Sequence, residues 1–129
     1  MEQISTISIG RSRLALLLLA SSVFAVGTEG LVFAGLLPAL SSDLGVSLGA
    51  AGQVTTVFAL CYAGFAPLLS MSTESLPRRT TLLIGLGLFV AGNALSATAP
   101  AYWCLLIWRA VTAAGASLLT PTATLIAAS

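Results

Sequence analysis

The stretch LALLLLASSVFAVGTEGLVFAGLLPAL, residues 14–40, is apolar apart from a few small polar side chains and one carboxylate, Glu29. A helix needs about 20 consecutive apolar residues to cross a bilayer. This run is longer, so it must tilt, bend or emerge at one end. Because backbone N–H and C=O groups in lipid must pair within the segment, and the run shows no alternation of apolar and polar residues, a helix is predicted.

The composition extends this reading to the whole chain. Hydrophobic residues make up 57% and charged residues 7%, with a mean hydropathy of +1.04, whereas a soluble domain carries about 25% charged residues. The chain is therefore predicted to be a membrane protein, and its net charge of +1 gives no reason to expect nucleic-acid binding. It contains no His, and no loop combines a nucleophile with a base, so an enzyme, a metal or a cofactor is not expected.

Polar breaks divide the chain into four apolar runs, at residues 14–40, 50–69, 80–97 and 102–127. We therefore predict an all-α membrane protein with four transmembrane helices, preceded by an N-terminal tail at residues 1–13. Residues 11–25 also look like a secretory signal peptide, but the apolar run continues well past the candidate cleavage site. Cys61 and Cys104 lie in apolar segments far apart in sequence and are expected to be small buried hydrophobes.

The arginines predict the orientation of the spans. Arg11 and Arg13 precede the first span, Arg78 and Arg79 lie between the second and third, and the other two loops contain no Lys or Arg. By the positive-inside rule the N-terminus and the second loop are cytoplasmic. This predicts a multi-pass protein of the cell (inner) membrane with both ends on the cytoplasmic side.

Two charged residues, Glu29 and Arg109, lie inside spans, where ionised groups are costly and by default suggest transport or proton movement. Glu29 is roughly 16 Å from the outer end of its span, near the midplane, and Arg109 is roughly 10 Å from the outer face. The depths differ by roughly 6 Å, within reach of an Arg side chain. We expect the two to pair, either as a site that a proton or substrate enters or as a purely structural bridge.

Smaller polar and small apolar residues also occur in the spans. The polar ones are expected to hydrogen-bond between helices more often than to line a cavity. They are Thr28, Gln53, Thr55, Thr56, Asn93, Thr112 and Ser117. Small residues allow membrane helices to approach closely, and they recur in the third span as Gly85, Gly87, Ala91 and Gly92.

Several short motifs occur in a characteristic order along the chain. They are Gly27-Thr28-Glu29, Gly35-Leu36-Leu37-Pro38, Ser42-Asp43-Leu44-Gly45-Val46-Ser47, Ala51-Gly52-Gln53 and Gly92-Asn93. Loop residues 70–79 are similar to G-x-x-x-D-R-x-G-R-R, with Glu74 for Asp and Ser75 for the first Arg, and Arg109 with Gly115 is similar to R-x-x-q-G-x-g. Together they resemble bacterial major facilitator superfamily transporters, nearest to drug:proton antiporters such as the sugar-efflux and purine-efflux permeases.

The resemblance implies a secondary transporter of about twelve helices in two halves, with the substrate site between the halves. The chain would be the N-terminal third of such a transporter, either as a fragment or as a truncated product. It would lack the C-terminal spans that complete the transporter. It implies proton-coupled efflux of a small molecule or drug by alternating access. Glu29 and Arg109 would be the proton-coupling pair beside a substrate cavity lined by spans 1 and 4. Glu74, Arg78 and Arg79 would form a cytoplasmic gating loop.

Other functions stay open at this stage. A four-span exporter of the small multidrug-resistance type, working as a dimer, has a similar length and also carries a Glu in its first span. A structural membrane subunit without transport activity would use Glu29 and Arg109 only for stability. Solute uptake is a further alternative, because these residues do not indicate direction. In each of these readings the lipid bilayer is a partner, and in the transport readings a small molecule and protons are too.

Overall fold

Four helices account for nearly all of the chain. The computed structural model describes the backbone of residues 2–128 and the side chains of residues 12–128. The helices are α1 (Glu2–Leu44), α2 (Leu48–Ser72), α3 (Arg78–Ala97) and α4 (Tyr102–Ala128). Each contains a segment long and apolar enough to cross a membrane. The predicted all-α membrane fold is therefore confirmed.

Helix α1 is longer than the predicted first span at both ends. Its 43 residues extend over about 65 Å, about twice the thickness of a bilayer's hydrocarbon core. The backbone of the predicted tail is helical from Glu2, and no Pro interrupts it before Pro38. The side chain of Arg11, which the orientation argument uses, lies outside the described residues.

A left-handed glycine ends α1. Gly45 has a φ of +63°, and the Val46 N–H donates to the Ser41 carbonyl at 3.1 Å, which is the pattern of a Schellman C-cap. Residues 41–44, predicted as part of a polar break, thus belong to the helix. Two residues later the Ser47 hydroxyl accepts a bond from the Ala50 N–H at 3.1 Å and caps α2. The turn is therefore short and locally encoded.

Helix α4 lies at the centre of the bundle, in contact with the other three helices. Its interface with α3 is formed by glycines: a Cβ on Gly92 would lie 2.8 Å from the Thr112 nitrogen, and one on Gly115 would lie 2.7 Å from the Gly85 carbonyl oxygen. The prediction of close packing is correct for Gly85 and Gly92. It is wrong for Gly87, which faces open space.

Helix α1 packs much less closely than α4. Among its described side chains, residues 12–44, Leu19 is the one classed as buried. Large apolar side chains such as Leu17, Phe24 and Leu31 are 66–77% exposed. Because lipid is as apolar as these side chains, they can remain exposed in a membrane without an energetic penalty.

Most of the polar span residues do not bond between helices as predicted. The hydroxyls of Thr28, Thr56 and Thr112 donate to carbonyls four residues earlier on their own helices. The reason is geometric: on a helix a carbonyl at i−4 is always within reach of a short side chain. Gln53 is the exception, since its Oε1 lies 3.2 Å from the Tyr102 hydroxyl of α4.

Candidate functional site

The centre of the site is an ion pair between two helices that are distant in sequence. An Nη1 of Arg109 on α4 donates to Oε1 of Glu29 on α1. The Arg109 side chain is 0% exposed and that of Glu29 is 8% exposed. It is the one salt bridge among side chains 12–128. The two charges that the sequence singled out therefore lie in direct contact in the interior of the bundle.

Two aromatic rings flank the Arg109 guanidinium. Its central carbon lies 4.0 Å from the ring centroid of Phe33 on α1 and 4.5 Å from that of Phe58 on α2. Both distances are within the range of a cation–π interaction. Phe33 follows Glu29 by four residues and so lies on the same face of α1, a signal that the sequence contained. Nothing in the sequence pointed to Phe58, because its approach depends on how α2 packs.

The ion pair leaves part of its hydrogen-bonding capacity unused. Oε2 of Glu29 and the Nε and Nη2 atoms of Arg109 are buried without a hydrogen-bond partner in the described structure. Buried polar atoms are seldom left in this state. The pair could therefore accept a proton at the carboxylate or donate to an incoming acceptor at the guanidinium.

A groove beside Glu29 opens between α1 and α3. It has a volume of about 410 Å³. Its lining includes Thr28, Glu29 and Phe33 from α1 and Phe89 and Asn93 from α3. A cavity between spans 1 and 4 was expected at this point; the hollow that α1 and α4 form is instead apolar, and Leu19 and Ala123 are among its lining residues. That hollow lies along residues 16–23 of α1, whereas at Glu29 itself Arg109 of α4 is in direct contact.

The predicted gating loop lies far along the chain from this pair, at the α2–α3 connection. Glu74 and Arg78 line a cleft of about 240 Å³ between that connection and α4. An Nη1 of Arg78 donates to the Leu125 carbonyl of α4 at 3.4 Å. Arg79 instead borders an apolar groove formed by α1, α3 and α4. Glu74 and Arg78 therefore share one cleft, whereas Arg79 lies in different, apolar surroundings.

No group of three or more His, Cys, Asp or Glu side chains that could hold a metal ion occurs among the described residues. Cys61 and Cys104 are free thiols. Both are partly exposed rather than fully buried, as two residues on the outer faces of membrane helices can be.

The helices and the buried ion pair define a multi-pass membrane protein. Comparison with known proteins identifies its family. The sequence signature of the Major Facilitator Superfamily matches residues 17–129. The chain belongs to this family of membrane transporters, as its motifs indicated.

Three relatives illustrate the family membership. The chain is 40% identical over 111 residues to the uncharacterized MFS-type transporter YbcL of Bacillus subtilis (strain 168), covering 86% of this chain and 28% of that protein. It is 40% identical over 100 residues to the chloramphenicol resistance protein of Streptomyces lividans, covering 78% and 26%. It is 36% identical over 97 residues to the inner membrane transport protein YdhP of Escherichia coli (strain K12), covering 75% and 25%. No solved structure matches.

Proposed function

We propose that this chain provides the first four helices of a transporter that exports a small molecule in exchange for protons. The observation that carries the proposal is the buried Glu29–Arg109 pair, whose second carboxylate oxygen has no hydrogen-bond partner. The chain spans between 25% and 28% of the length of the relatives described above. Activity would therefore require the remaining helices of such a transporter.

The coupling rests on a difference between the two side chains. A carboxylate can take up a proton and become neutral, whereas a guanidinium stays charged. While Glu29 is ionised, its free Oε2 can accept a hydrogen bond from a substrate. When Glu29 binds a proton, the negative charge that holds the substrate's donor is lost and the substrate is released. Proton and substrate would thus compete for the same buried site.

The rest of the chain supports the same proposal. The groove between α1 and α3 reaches Glu29 and offers a route for protons or water to the carboxylate. Arg13, which precedes the apolar part of α1, and Arg78 and Arg79, at the start of α3, favour a cytoplasmic N-terminus and a cytoplasmic α2–α3 loop in an inner membrane. The contact of Arg78 with the end of α4 would let that loop sense a movement of α4, as a gate requires.

The decisive experiment replaces Glu29 by Gln in the transporter polypeptide that carries this segment. Chloramphenicol is the first probe, because a relative is a chloramphenicol resistance protein. In inside-out membrane vesicles, we expect proton-driven uptake of the drug by the wild type and uptake by Glu29→Gln no higher than in vesicles without the protein. Dissipation of the proton gradient should abolish wild-type uptake.

The control variant is Gln53→Glu, which alters a polar span residue without touching the ion pair, and it should retain gradient-dependent transport. Unchanged proton-driven transport by Glu29→Gln would reject the coupling role. Transport by a dimer of the 129-residue chain alone would instead favour the four-span exporter. Loss of stability in Glu29→Gln, with no transport of any probe by the wild type, would favour a structural subunit.

A further inference from the structure

The two rings beside Arg109 suggest a role that the ion pair cannot fill alone. We propose that Phe33 and Phe58 form a two-ring cation–π clamp that keeps the Arg109 guanidinium in its buried position while Glu29 carries no charge. Phe33 and Phe58 are then positioning residues, since they act through Arg109. The use of the clamp in proton coupling rests on the proposed function, but the clamp itself does not.

The geometry fits a clamp rather than a single ring contact. The guanidinium carbon lies within 4.5 Å of both ring centroids, with Phe33 contributed by α1 and Phe58 by α2. Arg109 itself belongs to α4 and is fully buried. Three helices thus meet at one cation. A cation–π contact is strongest where water is excluded, as it is here.

The need for a clamp follows from the chemistry of the pair. Glu29 is the one carboxylate that the described side chains bring to Arg109. Without its charge, the guanidinium would remain ionised among apolar helices, and a long Arg side chain in that position tends to extend toward water. Two electron-rich ring faces offset this tendency without using any N–H donor of the guanidinium.

The clamp leaves the N–H donors of Arg109 free at the moment when they are needed. A cation–π contact uses the positive charge of the guanidinium and none of its N–H donors, whereas hydrogen bonds are made through those donors. Nε and Nη2 lack partners in the described structure. When Glu29 is neutral, the clamped guanidinium therefore still presents its edge to a hydrogen-bond acceptor, such as the carbonyl oxygen of the protonated carboxyl group or a water molecule.

The test measures how fast a dicarbonyl reagent modifies Arg109 in the bilayer-embedded chain, with each Arg located by peptide mass mapping. Exposed Arg13 is the internal reference for the reagent. We expect Arg109 to be protected in the wild type and still protected in Glu29→Gln. Combining Glu29→Gln with Phe33→Leu, or with Phe58→Leu, should accelerate modification of Arg109 on the order of tenfold, as the loss of a desolvated cation–π contact implies.

Ring-fluorinated phenylalanine at positions 33 and 58 provides a second test that does not depend on how well the Leu variants fold. Fluorination keeps the shape of the ring but withdraws the negative charge from its face. In the Glu29→Gln background it should accelerate modification of Arg109 progressively with the number of fluorines. Phe24→Leu on α1 and Phe65→Leu on α2 are matched controls, and in the same background they should leave Arg109 protected.

Two results would overturn the proposal. One is full modification of Arg109 in Glu29→Gln with both rings intact, which would mean that the ion pair alone holds the side chain. The other is equal protection with fluorinated and ordinary rings, which would assign the effect to packing. Neither result depends on transport, so the clamp can fail while proton coupling survives, and the reverse.

Discussion

The α3–α4 interface and the α1 helix are held in place in opposite ways. Between α3 and α4 the backbones touch, because Gly85, Gly92 and Gly115 leave no room for a side chain. Along residues 12–44 of α1 most side chains are exposed, whereas Glu29 and Phe33 contact Arg109 of α4. The α3–α4 contact is made by close packing over a whole helix face. The contact of α1 is made by charge and is concentrated near one point.

The difference identifies which part of the chain can respond to a proton. In lipid, helices associate by close packing and polar contacts rather than by the hydrophobic effect. The glycine contact between α3 and α4 involves no charged side chain and should be insensitive to protonation. The attachment of α1 is weakened when Glu29 is neutral, although Phe33 would still contact Arg109. We therefore expect α3 and α4 to act as a rigid unit and the contact of α1 with them to loosen.

The largest expected effect comes from leaving the Arg109 charge without its partner. Removing one member of a buried ion pair costs about 3–5 kcal/mol. We expect Glu29→Leu to lower the free energy of unfolding by about that amount. Arg109→Leu should lower the free energy of unfolding by less. The carboxylate left without a partner can become neutral by taking up a proton, whereas a guanidinium cannot become neutral.

The double variant Glu29→Leu/Arg109→Leu completes the double-mutant cycle. Its free energy of unfolding should be close to that of the wild type, since an apolar pair replaces a charged one. Detergent-induced unfolding in bicelles, followed by the fluorescence of Trp103 and Trp108, measures all four proteins. If the two single variants are equally stable, or if the double variant is the least stable of the set, α1 is not held by this pair.

The next effect tests the packing side of the comparison. Gly92→Ala would place a Cβ 2.8 Å from the Thr112 nitrogen, and overpacking of this kind costs about 1–3 kcal/mol. Gly87→Ala on the same helix is the matched control, because nothing lies within 4 Å of its Cβ position. There Ala should stabilise the helix by up to about 1 kcal/mol.

The same unfolding measurement applies to both glycine variants, at neutral and at acidic pH. We expect the difference in unfolding free energy between them to be independent of pH, because the atoms nearest to the Cβ position of Gly92 belong to Thr112, which does not titrate. A gap that closed on acidification would show that the α3–α4 interface is coupled to protonation after all, and the proposed division into a rigid and a responsive part would then be wrong.

The smallest effect concerns the hydrogen bonding of the Tyr102 hydroxyl of α4 to α2. The Tyr102 hydroxyl donates to the Ala50 carbonyl at 2.8 Å, and losing such a bond costs about 0.5–1.5 kcal/mol. Tyr102→Phe should lower the unfolding free energy by that amount, whereas Tyr62→Phe, on α2, should have little effect. Equal losses in the two variants would mean that this bond does not help to join α2 to α4.

The sequence by itself determined the number of spans, their helical nature and the two charges within them. These properties are local: the length of an apolar run and the need to satisfy its backbone decide them. The match of residues 17–129 to the Major Facilitator Superfamily agrees with the motifs that Glu29 and Arg109 belong to. The depth of the two charges also anticipated their contact, because depth follows directly from position along a helix.

Only the tertiary structure decided which faces of the helices meet. Rotation of a helix about its axis does not change the depth of its residues, but rotation of α3 decides whether Gly92 or Gly87 faces α4. In the same way, rotation of α2 brings Phe58 over Arg109, and rotation of α1 brings Glu29 against Arg109. These choices depend on how side chains from several helices fill a common volume, and no single span contains that information.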